Sequence, residues 1–98
     1  MEKRTPHYDL VLVKHLVEGG RARTTRVALE GAAALGMGRN EIFAVVIALT
    51  PGCFYKSMTT YADHRVWQDV YRPATAAGSV YLKLTIVGDV VVVSFKEL

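Results

Sequence analysis

The side chains in this chain that could do chemistry are three scattered histidines, one cysteine, and two bands of aromatic and basic residues. His7, His15 and His64 lie far apart, and no His-Glu-x-x-His or paired-cysteine spacing joins them into a metal-binding pattern. Cys53 would need a neighbouring histidine and a depressed pKa to act as a nucleophile. It follows Gly52 at the start of a strand-like run, so burial as a small apolar residue is the better reading. Asp63, His64 and Asp69 are close in sequence, but turn caps and surface pairs account for them. No Gly-x-Gly-x-x-Gly or phosphate-loop sequence is present, and no cofactor is expected. What remains is the run Phe54-Tyr55-Lys56-Ser57-Met58-Thr59-Thr60-Tyr61, followed by Val66-Trp67-Gln68-Asp69-Val70-Tyr71-Arg72. Aromatic rings stack on bases while Lys and Arg neutralise phosphates, a combination suited to single-stranded RNA. Aromatics in small sheets are more often core than stacking platforms, so the pattern alone leaves both readings open.

The elements that must position these residues change character near Thr50-Pro51-Gly52: helical patterns precede it, and β-branched and aromatic residues follow. A first helix is expected to start at Thr5-Pro6, carry Leu10, Val13, Leu16 and Val17 on one stripe, and stop at Gly19-Gly20. A second, capped by Thr24 or Thr25, runs through Val27, Ala28 and Leu35 to Gly36. A third begins near Arg39-Asn40 and carries Ile42, Val45, Val46 and Leu49 before Pro51 ends it. Strand-like runs cover Cys53 to Met58, Val66 to Tyr71, Ser79 to Val87 and Val90 to Lys96. The first is short and ambiguous; Pro73 and Gly78 bracket a loop after the second. Gly88-Asp89 between the last two reads as a two-residue hairpin.

That hairpin gives a register. With Val87 facing Val90, Leu82 pairs with Phe95, Lys83 with Ser94, and Tyr81 with Lys96. Directly opposed Cβ atoms on one face stand roughly 4.5–5.5 Å apart. Leu82, Leu84, Ile86, Val91, Val93 and Phe95 then form the face buried against the helices. Tyr81, Lys83, Thr85, Ser94 and Lys96 fall on the other face. The expected fold class is α+β, with N-terminal helices packed on one face of a mainly antiparallel sheet and the other face open.

Composition bounds the function. Ninety-eight residues, about half apolar, can bury one core, so one domain over residues 1–98 is expected. A formal charge of +3 permits an anionic partner without requiring one. Arg21, Arg23 and Arg26 cluster, and such a cluster is as readily a solvated surface as a phosphate track. A single cysteine excludes an internal disulfide. The polar N-terminus lacks a signal-peptide pattern, and Ile42 to Leu49 is too short to span a bilayer, so no membrane association is expected and the cytoplasm is the expected location.

Three blocks lift the sequence out of the generic: Phe54 to Tyr61, then Asp63-His64, then Trp67-Gln68-Asp69-Val70-Tyr71-Arg72-Pro73. Together they closely resemble the motility quorum-sensing regulator toxins, the MqsR family of messenger RNA interferases with a RelE-like fold. Glu2-Lys3-Arg4-Thr5-Pro6-His7, Val80-Tyr81-Leu82-Lys83 and Val93-Ser94-Phe95-Lys96 fit the same family. The resemblance covers essentially the whole chain and is weakest from Val27 to Gly52. It implies metal-independent, ribosome-independent cleavage of single-stranded RNA at GC-containing sites, commonly GCU. The family's active-site residues fall on Lys56, Gln68, Tyr81 and Lys96, each matching in type. Tyr55, Arg72 and Lys83 are the expected RNA contacts beside them. Tyr81 and Lys96 are also the pair that the hairpin register sets side by side.

The implied chemistry is attack of the RNA 2′-hydroxyl on the adjacent phosphorus, which needs a base, an acid and cations for the developing charge. Lys56 or Lys96 would stabilise the phosphorane, Tyr81 would orient the phosphate or exchange a proton, and Gln68 would hydrogen-bond the phosphate or a base edge. Which lysine, if either, is the base stays open, and His64 ranks below a structural role. The resemblance also implies a cognate antitoxin with a zinc-bearing N-terminal domain and a helix-turn-helix domain. Operator DNA would be reached only through that partner, and an exposed strand edge is a reasonable docking mode. The competing readings are a non-catalytic RNA- or protein-binding regulator on the same fold and a ribosome-dependent nuclease.

Overall fold

In the computed structural model, which describes residues 1–98, the alternating run after Pro73 becomes the long hairpin at the heart of the sheet. The strands are β1 (Glu2–Lys3), β2 (Ala22–Thr24), β3 (Phe54–Thr59), β4 (Trp67–Tyr71), β5 (Ala74–Thr75), β6 (Gly78–Val87) and β7 (Asp89–Glu97). The helices are α1 (Leu10–Glu18), α2 (Arg26–Ala33) and α3 (Arg39–Ile47). The main sheet runs β1-β3-β4-β6-β7-β2, with β5 paired to β6. Every pairing is antiparallel except that of β2 with β7. The helices cover one face: Val13, Val17, Ala28, Ala32, Ile42, Val46 and Leu49 pack with Leu82, Leu84, Val90, Val92 and Phe95. The expected α+β class and helix placement hold.

The first helix starts later than Thr5-Pro6 suggests. Asp9 is its N-cap, accepting from the Val11 amide at 3.0 Å. Residues 4–9 form a bent strap instead, because the His7 and Tyr8 amides are claimed by the buried Asp69 carboxylate at 2.9 to 3.1 Å. A charged, hydrogen-bonded acceptor outcompetes the first helical turn for those donors. The short strands β1 and β2 lack any periodicity that could announce them.

The hairpin is tighter at its tip than the two-residue reading. Gly88 alone turns the chain, at φ 72°, and Val87 pairs with Asp89 rather than Val90. The register is therefore displaced by one, so Val90 and Val92 enter the core and Val91 and Val93 do not. Val93 is then an extra residue between the Leu84–Val92 and Lys83–Ser94 pairs, a β-bulge that restores the expected alignment. From there Leu82 faces Phe95 and Tyr81 faces Lys96, as the sequence register has them. The Thr25 hydroxyl pins the bulge by donating to the Val93 carbonyl at 2.8 Å while capping the Ala28 amide. Thr85 also departs from expectation: it is buried, donating to the Trp67 carbonyl at 2.8 Å with the Tyr8 hydroxyl 3.0 Å away. The β4–β6 pairing ends at Asp69–Leu84, and these two hydroxyls satisfy the strand carbonyl beyond it.

Candidate functional site: the open face of the sheet

Direct cross-strand partners share a face, so the strand pairings form rows across the uncovered side. The central row is Lys56 on β3, Val70 on β4, Lys83 on β6 and Ser94 on β7. Tyr81 and Lys96 form the next row, and alternation puts Arg72 on the same side as Val70. On the other flank Glu2 faces Met58, which faces Gln68. The sheet thus brings Lys56, Gln68, Tyr81, Lys83 and Lys96 to one surface from four strands. Gln68 is half-buried on that surface, while Trp67, Asp69 and Tyr71 alternate to the helix side.

Tyr55 owes its position to a second irregularity. Phe54 pairs with Tyr71 and Lys56 with Val70, leaving Tyr55 as the extra residue of a bulge in β3. Its ring lies among three cations, with Arg72 at 4.5 Å, Lys56 at 5.4 Å and Arg4 at 5.5 Å from the centroid. Tyr81 is flanked similarly, by Lys96 at 5.3 Å and Lys83 at 5.9 Å. His64 is exposed in the β3–β4 loop, against a hollow lined with Glu2, Met58, Thr60 and Tyr61 that adjoins the Glu2–Met58 flank of this face.

The lysines differ electrostatically. Lys56 Nζ lies 2.7 Å from Glu2 Oε1, and this hydrogen bond is the main reason its pKa is raised above the ordinary lysine value. Glu2 is correspondingly held below the usual carboxylate range by Lys56. Lys83 has no carboxylate partner, nor do Lys96 and Arg72. Burial lowers the Lys83 pKa first, and the charges of Lys96 and Lys56 lower it further. The burial has a visible source: Val70 is fully buried although it faces outward, flanked by the stems of Lys56 and Lys83. A surface of clustered cations, two ringed tyrosines and an amide is equipped to hold a phosphodiester and exchange a proton with it. No three His, Cys, Asp or Glu side chains come together as a ligand set.

The chain matches, over residues 5–97, the family model described as motility quorum-sensing regulator, toxin of MqsA. It is 57% identical over 97 residues to the mRNA interferase toxin MqsR of Escherichia coli (strain K12), with 99% of each chain covered. The chain belongs to the MqsR toxin family.

Within this MqsR-family toxin, Glu2 and Arg4 escaped the sequence reading, and Asp69, expected as a turn cap or surface pair, is instead fully buried in β4. Glu2 of β1 neutralises Lys56, Arg4 approaches Tyr55, and Asp69 anchors the strap that begins at Arg4. Asp69 left a signal: alternation in β4 opposes it to Gln68 and Val70 and so sends a carboxylate to the core face, where it must find donors. Glu2 and Arg4 left none, because nothing local indicates that residues 1–9 return to β3. The Arg21, Arg23 and Arg26 cluster disperses, with Arg21 paired to Asp89 at 3.1 Å and Arg26 opening α2. No helix is long and apolar enough to cross a membrane.

Proposed function

We propose that this toxin is an mRNA interferase, an endoribonuclease that cuts single-stranded messenger RNA at GC-containing, GCU-like sites without metal or ribosome. The observation that carries the reading is the convergence of Lys56, Gln68, Tyr81 and Lys96 on one uncovered sheet face. The name of the Escherichia coli relative agrees with it. The scissile phosphate lies over Val70, among the lysines. Attack by the neighbouring 2′-hydroxyl forms a 2′,3′-cyclic phosphate and releases a 5′-hydroxyl. Lys56, kept charged by Glu2 until RNA displaces that carboxylate, and the exposed Lys96 stabilise the phosphorane oxygens. Tyr81 gives the departing oxygen a proton, and Gln68 bonds the phosphate or a base edge. Tyr55, Arg72 and Lys83 bind the strand alongside.

The 98 residues act as one domain, in the cytoplasm, held in check by a cognate antitoxin. The family description supports such a partner. Its zinc-bearing domain and helix-turn-helix domain are part of the proposal, and operator DNA is reached only through it. The test uses purified toxin with end-labelled, ribosome-free RNA in EDTA, beside Tyr81→Phe and Lys56→Ala. Cleavage at GC-containing sites with cyclic phosphate ends, weakened in both variants by about 100-fold or more, is the expected result. Cleavage that appears only on adding ribosomes would replace this with the ribosome-dependent reading. RNA binding without cleavage in either condition would favour a regulator.

A further inference from the structure

We infer that Lys83, rather than Lys56 or Lys96, takes the proton from the attacking 2′-hydroxyl. The assignment rests on the proposed nuclease reading and deepens it. Lys83 stands at the centre of the cation cluster, on the strand between β4 and β7, with uncharged Val70 and Ser94 as its direct cross-strand neighbours. Its surroundings hold cations and no available anion. Lys56 approaches from β3, already engaged by Glu2 of β1; Lys96 approaches from β7; Tyr81 lies two residues away on its own strand. Gln68 on β4 is neutral, and Asp69 faces the helix side, occupied by the His7 and Tyr8 amides.

A base must lose its proton before the reaction begins, and the half-buried position of Lys83, followed by the charges of Lys96 and Lys56, favours that loss. Lys56 is in the opposite situation, because its carboxylate holds the proton on. Lys96 is exposed at the rim, on the outermost strand of the cluster. Neutral Lys83 Nζ accepts the 2′-hydroxyl proton as the O2′–P bond forms and the P–O5′ bond breaks. The 5′ oxygen leaves with the Tyr81 proton, and solvent carries the proton from Lys83 back to Tyr81. Three cations are then not redundant: two remain charged for the phosphorane, and their repulsion adds to burial in preparing the third.

The deciding comparison is wild type against Lys83→Arg in single-turnover cleavage of naked RNA, with binding measured on an uncleavable 2′-deoxy analogue. Arginine preserves the charge but does not deprotonate in a protein. The expected result is unimpaired binding with cleavage slowed by about 100-fold or more. Lys83→Arg that cuts at the wild-type rate would reduce Lys83 to a phosphate contact and overturn the assignment. Should that variant misfold, the pH profile decides. The wild-type rate should rise with pH through a single ionisation below the ordinary lysine range, and Lys96→Gln should move that limb to higher pH. A limb that Lys96→Gln leaves in place would also overturn it. Wild type that cuts no naked RNA would sink the nuclease reading itself, an outcome distinct from an active Lys83→Arg.

Discussion

Lys56 and Lys83 stand on either side of Val70, yet their surroundings push their pKa values in opposite directions. One is clamped to Glu2 at 2.7 Å, and the other is wedged among cations without a partner. Glu2 competes with an incoming phosphate for Lys56, so Glu2→Gln should tighten binding of uncleavable RNA. The gain is set by a solvent-screened ion pair and should be about two- to five-fold, with the melting temperature unchanged. Fluorescence anisotropy checks it; weaker binding would mean that Glu2 holds Lys56 in place for RNA instead of guarding it. This level was only half legible in the sequence. The family resemblance marked Lys56, Gln68, Tyr81 and Lys96, and the hairpin register set Tyr81, Lys83 and Lys96 on one face. What separates the lysines is long-range: Glu2 reaches Lys56 across 54 positions of sequence.

Elements hold these residues through two irregular strands and one unusually close approach. The β-bulge at Val93 compensates for the one-residue turn at Gly88, which is why the Tyr81–Lys96 pair was legible although the hairpin tip was not. A valine-rich run looks the same in either register, so Val90 to Val93 carried no information about which side was buried. The α2 helix packs on β7, and it comes so near that a Cβ on Gly31 would lie 1.9 Å from the Phe95 carbonyl oxygen. Helix propensity alone favours Gly31→Ala by about 1 kcal/mol. Overpacking against backbone costs about 1–3 kcal/mol or more. A 1.9 Å approach to backbone puts the cost at the upper end, so urea denaturation of Gly31→Ala should show a net loss of about 2 kcal/mol. Cleavage should fall as well, since a displaced α2 shifts the strand that carries Lys96. A Gly31→Ala variant as stable as wild type would mean that α2 can lift off β7 without cost.

At the scale of the whole molecule, the excess charge of +3 matters less than its side. Arg4, Lys56, Arg72, Lys83 and Lys96 gather around Tyr55 and Tyr81 on the open face, with Glu2 the carboxylate engaged there. Arg26 and Arg39 are exposed at the starts of α2 and α3, in the opposite layer. A sheet covered by helices on one side can offer a strand of RNA only its other side. Binding should therefore release counterions through the first group and not the second. If three or four phosphates are engaged, log K against log salt for single-stranded RNA should fall with a slope of about −2 to −3. Arg72→Gln should flatten that slope by about 0.7, one phosphate's share. Arg26→Gln with Arg39→Gln should lower the net charge by twice as much and leave the slope where it was. The reverse pattern would put the RNA on the helical layer, and the cluster around Tyr81 would then need another explanation. Net charge counts both faces alike; only the salt dependence tells which of them meets the phosphates.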